Sequence, residues 1–153
     1  MAGVLLSVHV LAAIVLVGGS AVAASLFPRY APVAVTVPAG AAGRAAERSR
    51  SVAVALHRVT RVYGVAAVVV PVVGIALAAV QGRMGEVWIS ISMVLTVLAG
   101  VLLALVVVPL QRAALAEPDD GARLRRLGML AGVYNLLWAA VVVLMIVRPG
   151  GRV

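Results

Sequence analysis

The chain has 153 residues, of which 64% are hydrophobic and only 12% are charged. Soluble domains contain about 45–50% apolar and about 25% charged residues, so this composition excludes an ordinary water-soluble fold and predicts a protein surrounded by lipid. Cysteine is absent, which excludes disulfides, thiolate metal sites and thiol nucleophiles. The net charge of +8 comes from arginines between the apolar runs, and this pattern indicates membrane topology rather than a nucleic-acid surface.

Four apolar runs without Asp, Glu, Lys or Arg follow one another, over residues 4–27, 62–80, 87–110 and 127–147. A helix needs about 20 apolar residues to cross a bilayer, and each run is close to or above that length. Helices are expected because lipid cannot satisfy the open backbone of a single strand. The sequence therefore predicts an all-α, integral membrane four-helix bundle that forms one transmembrane domain over residues 1–153.

The first run has an alternative interpretation as a signal peptide, because Ala21–Ser25 resembles a cleavage site. However, no basic residue precedes the run, and the run is long for such a peptide. It is therefore expected to remain as a transmembrane helix. Pro28 is predicted to end this helix, since proline cannot continue it.

The segment from residue 28 to residue 61 is predicted to be a long loop. Its prolines and glycines indicate a flexible linker over 31–43, and residues 44–61 are expected to extend the second helix beyond the membrane. The charges of that extension are expected to contact solvent and lipid headgroups. Inside the second run, Pro71 is predicted to kink the helix.

The remaining connections are predicted to be a tight turn at Gly82–Gly85 and a loop over residues 111–126. In that loop, the Glu117–Gly121 sequence indicates a turn, with Asp119 or Asp120 capping the start of the fourth helix.

Arginine counts predict the topology. Ten of the thirteen arginines lie in segments 28–61 and 111–126, and three lie on the other side at Arg83, Arg148 and Arg152. Basic residues concentrate in cytoplasmic loops, so both long loops are expected in the cytoplasm and both termini outside. The alanine-, valine- and arginine-rich composition without lysine is typical of a bacterium with GC-rich DNA, which suggests the bacterial inner membrane.

Small and polar residues are predicted to mediate helix packing. The most regular stripe lies on the third helix at intervals of four residues: Ser92, Thr96, Gly100 and Ala104. Asn135 lies near the middle of the fourth run, where an unpaired amide is costly. It is expected to bond a partner helix at Ser20, Thr96 or a carbonyl group.

His9 is the one imidazole inside an apolar run, and ionisable residues within a membrane are functional candidates. It is expected roughly 8 Å below the outer boundary. His57 lies at the opposite end of the second helix, and the hydrocarbon core is about 30 Å thick. The two histidines of one chain are therefore not expected to clamp one haem or metal ion.

Met93 and Met145 are predicted to lie at the depth of His9. An imidazole and a thioether together can ligate haem iron or soft copper. One hypothesis is therefore a haem or copper site formed by His9 with Met93 or Met145. The alternative is that His9 donates a hydrogen bond to Ser90, Ser92 or a carbonyl group while the methionines fill space.

Several activities are disfavoured by what the runs do not contain. No run holds a carboxylate, which argues against proton- or sodium-coupled transport and against small multidrug exporters, whose first helix carries a glutamate. No nucleophile–base pair, phosphate-binding loop or HExxH motif is present, so a conventional hydrolase or kinase is not expected.

The opening from His9 to Gly19 resembles the HVLxAxxxVGG start of a family of bacterial predicted integral membrane proteins without an assigned activity. Phe27-Pro28-Arg29 and the Trp88–Ser92 segment are also similar to that family, as are five residues of the second helix: Arg58, Arg61, Tyr63, Pro71 and Gly74. The resemblance covers all four runs. It implies a small multi-pass membrane protein.

More distantly, this pattern is similar to CopD-type copper-resistance membrane domains and HemJ-type protoporphyrinogen oxidases. HemJ-type proteins have a haem-linked histidine in the first of four helices and a Pro-Arg pair after it. His9 and Pro28-Arg29 match those positions, so the resemblance implies haem near His9. The HemJ-type lysine after a tryptophan near the third helix has no counterpart, because Ser92 follows Trp88 and the chain has no lysine; the resemblance does not extend to the oxidase activity.

Three functions remain open at the level of sequence. The first is a multi-pass membrane protein that holds haem or copper near His9. The second is a cofactor-free accessory or assembly subunit of a larger membrane complex, and the third is a small metal-handling transporter. The expected partners are the lipid bilayer and, further, other membrane subunits or copies of the same chain.

Overall fold

The computed structural model describes residues 1–34 and 49–150. These residues form four long helices and, within those two ranges, no strand. The helices are α1 (Ala2–Tyr30), α2 (Arg50–Val80), α3 (Val87–Ala116) and α4 (Ala122–Val147). The predicted all-α architecture with four spans is therefore confirmed.

Each helix is longer than the apolar run that predicts it. The helices have 29, 31, 30 and 26 residues, equivalent to about 39–47 Å, so their ends project beyond the hydrocarbon core of about 30 Å. The predicted helical extension of α2 begins at Arg50, where the Ser49 hydroxyl accepts a hydrogen bond from the Val52 N–H group (3.4 Å). Most of the predicted 31–43 linker, together with Arg44 and Arg48, lies outside the described residues.

The prediction that Pro28 ends α1 is wrong by two residues, because the helix continues to Tyr30. Proline removes one backbone hydrogen bond and crowds the preceding turn. Pro28 lies in the last turn of α1, so the helix can continue for two more residues despite the one missing hydrogen bond. The chain becomes extended at Ala31, with ψ of 139°.

Pro71 interrupts α2 as predicted. The helix is regular over Arg50–Ala66 and again over Val69–Val80, with a turn between these segments. Pro71 has no N–H group to donate to the carbonyl of Ala67, which accepts from the Val70 N–H group (3.0 Å) instead. Two π-helical segments, Ala13–Val17 in α1 and Leu102–Val107 in α3, add further irregular turns.

Both aspartates before α4 bind N–H groups of its first turn. Asp119 accepts from the Gly121 N–H (2.9 Å) and the Arg123 N–H (3.1 Å), and Asp120 accepts from the Ala122 N–H (3.0 Å). Desolvation acts to raise the pKa of Asp119, but these backbone hydrogen bonds and the Arg123 charge outweigh it and hold the pKa below its ordinary value. The predicted capping role is therefore shared by both residues.

The bundle has two ends that differ in packing. We call the end with Met1, the 81–86 turn and Arg148 the terminal end, and the end with Tyr30, Arg50 and the 117–121 turn the loop end. Towards the loop end, all four helices contribute to one buried cluster that includes Phe27, Val107 and Leu127. Towards the terminal end, α1 packs on the second half of α2, and α3 packs on α4.

Polar groups also connect the helices at the loop end. The His57 Nδ1–H group of α2 donates to the Gln111 side-chain carbonyl of α3 (3.1 Å), and the Gln111 amide lies 3.5 Å from the Thr60 hydroxyl. Gln111 and Thr60 are both fully buried. The bonds satisfy polar groups that would otherwise be costly inside the bundle.

Candidate ligand site at the terminal end

His9 of α1 is buried, with 7% of its surface exposed, and its Nδ1 atom lies 2.9 Å from the Val70 carbonyl oxygen of α2. A carbonyl oxygen can only accept, so Nδ1 carries the hydrogen. The neutral ring then has its lone pair on Nε2. This is the carbonyl bond named in the alternative to a cofactor site, and it leaves Nε2 as the ring nitrogen without that partner.

Gly74 allows the imidazole to lie against α2. A Cβ atom at this position would be 2.9 Å from Cε1 of His9 and 3.3 Å from Nδ1. These separations are too short for ordinary van der Waals contact. The bond between His9 and Val70 therefore depends on the missing side chain of Gly74.

A cavity of about 490 Å³ adjoins His9. Met93 of α3 and Met145 of α4 line the same cavity, together with Trp138. The structure therefore brings all three predicted ligand candidates to one site. The volume lies within the range of about 300–1,000 Å³ that is usual for small-molecule sites, and the walls are largely apolar.

Ser92 and Thr96 also line this cavity, although the sequence predicts that they join helices. Ser92 is 4% exposed, and its hydroxyl has no hydrogen-bond partner among the described residues. The Ser92 hydroxyl lacks a partner because this part of α3 borders the cavity and not the backbone of a neighbouring helix. A buried hydroxyl group is thus available to a polar atom of a ligand.

Asn135 binds a partner helix as predicted, but through a different residue. Its amide donates to the Ser25 hydroxyl of α1 (3.0 Å), and the Asn135 side chain is exposed at the edge of the helix pair. Ser20 instead bonds the Tyr134 hydroxyl (2.9 Å), one position earlier on α4. Tyr134 faces the interior of the bundle and therefore reaches Ser20. Asn135, the next residue on the helix, faces a different direction and reaches Ser25.

Aromatic and charged residues form the rim of the cavity. The Trp88 indole N–H donates to the Glu86 carboxylate, which also lies 3.7 Å from the Arg83 guanidinium. The Arg148 guanidinium lies 5.9 Å from the centre of the Trp88 ring. This group was not predicted from the sequence, although tryptophan and arginine near the ends of apolar runs are typical of a membrane interface.

His57 lies far from the cavity, at the opposite end of α2. Thirteen residues separate His57 from Val70, which corresponds to roughly 20 Å along a helix. Within residues 1–34 and 49–150, no group of three His, Cys, Asp or Glu side chains is placed to hold a metal ion. The side chains at the His9 cavity that carry nitrogen or sulfur donors typical of metal sites are His9, Met93 and Met145.

Four apolar spans and an intramembrane cavity define a small multi-pass membrane protein. The family model of the predicted integral membrane proteins DUF2269 matches residues 3–149, and the chain belongs to that family. No curated protein and no solved structure matches the chain.

Proposed function

We propose that the protein binds haem in the terminal-end cavity, with Nε2 of His9 as a ligand of the iron. The observation that carries this proposal is the hydrogen bond between Nδ1–H of His9 and the Val70 carbonyl. Histidines that ligate metals almost always donate their other ring N–H group to a carboxylate, a carbonyl or water, which fixes the tautomer and the ring orientation. His9 has this arrangement and also borders a cavity.

The cavity favours haem over a copper ion alone. A volume of about 490 Å³ is suited to an organic molecule and is far larger than one ion needs. Met93 or Met145 would supply a thioether as a second ligand, since both line the same cavity as His9 and methionine is a known haem ligand beside histidine. When bound, haem would supply one-electron redox chemistry, while the chain supplies ligation, orientation and an apolar surrounding. Copper(I) on His9 and the two thioethers is the second candidate, supported by the soft donor set.

Absorption spectra and metal analysis of the purified protein test this proposal. Protein from cells supplied with haem precursors is expected to show a haem spectrum and about one iron per chain, and His9→Ala is expected to lose both. His57→Ala is the matched control and should retain them, because His57 binds Gln111 at the loop end. Met93→Leu and Met145→Leu separate the two possible second ligands by a changed spectrum. Copper without haem would favour the second candidate, whereas a colourless, metal-free wild type that matches His9→Ala would refute both.

We further propose that the membrane is the bacterial inner membrane, with the loop end in the cytoplasm and the termini outside. The support is the excess of arginine in the two long loops. Because the chain has no cysteine, single cysteines can report each side without background. In intact cells, a membrane-impermeant thiol reagent is expected to label Gly85→Cys and to spare Glu117→Cys. Labelling of Glu117→Cys alone would reverse the topology.

A further inference from the structure

The helices α2 and α3 separate from each other although only a short turn connects them. The second half of α2 packs on the first half of α1, and the first half of α3 packs on α4, so the two consecutive helices share few contacts at the terminal end. This opening between α2 and α3 is here called the lateral cleft. Because α2 and α3 form its two walls, it faces the hydrocarbon of the bilayer.

A second cavity of about 640 Å³ occupies the lateral cleft. It follows α2 from Arg61 to Ile75 and α3 from Val108 to Met93, a length of roughly 20 Å at 1.5 Å per residue. That length exceeds half of the hydrocarbon core of about 30 Å. The cleft therefore has the length of a hydrocarbon chain that enters from one leaflet.

The walls of the lateral cleft are apolar and open to lipid. Valines on both helices are largely exposed, including Val65 (72%), Val68 (60%) and Val97 (58%). A Cβ atom added at Gly100 would meet no atom within 4 Å, which shows free space along α3. Such walls suit an alkyl chain and offer little to a polar ligand.

A single charged residue, Arg61, borders this cavity at the loop end. Arg50 donates to the Leu115 carbonyl and Arg123 to the carbonyls of Ala113 and Glu117. The Arg61 guanidinium, like that of Arg58, forms no hydrogen bond or ion pair with the part of the chain that the structure describes, but Arg61 is the one that borders the cleft. An unpaired guanidinium at the mouth of an apolar cleft is complementary to an anionic headgroup with a hydrocarbon tail.

We propose that the lateral cleft is a binding site for an anionic lipid, whose headgroup pairs with Arg61 and whose acyl chain lies between α2 and α3. The charge at the mouth of the cleft favours an anionic lipid over a helix from a second copy, because the four apolar runs contain no Asp or Glu that could pair with Arg61. The site is separate from the His9 proposal, although Met93 and Trp138 border both cavities.

Fluorescence quenching of Trp138 tests the proposal. The chain has two tryptophans, so a Trp88→Phe background leaves Trp138, at the inner wall of the cleft, as the reporter. His9→Ala is added to this background, because haem in the neighbouring cavity would itself quench Trp138. The protein is placed in nanodiscs that contain phosphatidylglycerol or phosphatidylcholine with bromine atoms in the middle of the acyl chain. Brominated phosphatidylglycerol is expected to quench at about fivefold lower mole fraction, since one arginine near a membrane surface contributes about 1 kcal/mol.

Variants assign that quenching to the cleft. Arg61→Gln is expected to reduce quenching by phosphatidylglycerol to the level of phosphatidylcholine, and Arg61→Lys to restore most of it. Arg126→Gln is the matched control, because Arg126 is exposed and lines neither cavity. Gly100→Leu should weaken quenching by both lipids by filling the cleft, whereas Gly132→Leu, also in open space on α4, should not.

Two results would overturn the proposal. One is equal quenching by the two lipids in the wild type and in Arg61→Gln. The other is quenching that Gly100→Leu leaves unchanged. Protection of Trp138 from both lipids together with a dimer in the same nanodiscs would show that a second copy covers the cleft instead.

Discussion

A Gly74→Val protein is expected to lose the hydrogen bond between His9 and the Val70 carbonyl. The new Cβ atom would lie 2.9 Å from Cε1 of His9 and 3.3 Å from Nδ1, and the imidazole cannot recede without leaving the carbonyl. Excess volume in a packed region costs about 1–3 kcal/mol. Loss of the hydrogen bond adds about 1 kcal/mol. A combined loss of several kcal/mol is a large share of the stability of a small protein.

Histidine-selective ¹⁵N NMR measures this loss directly. In a His57→Gln background, His9 is the sole histidine, and the protein with Gly74 should show a hydrogen on Nδ1 that is bonded to the Val70 carbonyl. Gly74→Val is expected to give a mixture of tautomers and a lower thermal midpoint. Gly132→Val, in open space on α4, should change neither observable. An unchanged Nδ1–H signal in Gly74→Val would contradict the proposed packing.

Replacement of Gly19 by alanine is expected to destabilise the protein more than the same change at Gly18. A Cβ atom at Gly19 would lie 2.5 Å from Cδ2 and 2.7 Å from Cε2 of the Tyr63 ring. The ring or the backbone of α2 must then move away, at a cost of about 1–3 kcal/mol. At Gly18, no atom lies within 4 Å of the new Cβ. There, alanine is expected to be neutral or stabilising, because it is the better helix former.

These neighbouring glycines form a matched pair, since the substitution and the helix are the same. The thermal midpoint in detergent micelles is expected to fall by several degrees for Gly19→Ala, at about 2–4 °C for each kcal/mol in a chain of this size. Gly18→Ala should melt at or above the wild-type temperature. Equal effects at both positions would show that α1 and α2 do not approach each other at Gly19.

The number of spans could be predicted because lipid imposes a strong constraint on sequence. A stretch of about 20 residues without charge has few alternatives in a bilayer. The interruption of α2 before Pro71 was likewise predictable from a local cause, the missing N–H group. The end of α3 was not predictable from its apolar run alone, because polar residues such as Gln111 continue the helix to Ala116.

The candidate site was predictable in its residues and not in its geometry. Depth counting placed His9 near Met93 and Met145, and these residues do share a cavity. It did not reveal the Val70 carbonyl or the contact with Gly74, since depth does not define which faces of two helices meet. The same limitation explains the partner of Asn135, which is Ser25 and not the predicted Ser20.

The unequal packing of the two ends has a consequence for how the native state opens. The loop end is stabilised by hydrogen bonds between α2 and α3 and by a buried cluster from all four helices. Helices that separate towards the terminal end have fewer such ties, and regions with few buried contacts open at low free energy. We therefore expect the helices to separate first at the terminal end, while the loop end stays packed. The cavity beside His9 lies at the terminal end of the bundle, so such movements change its shape first.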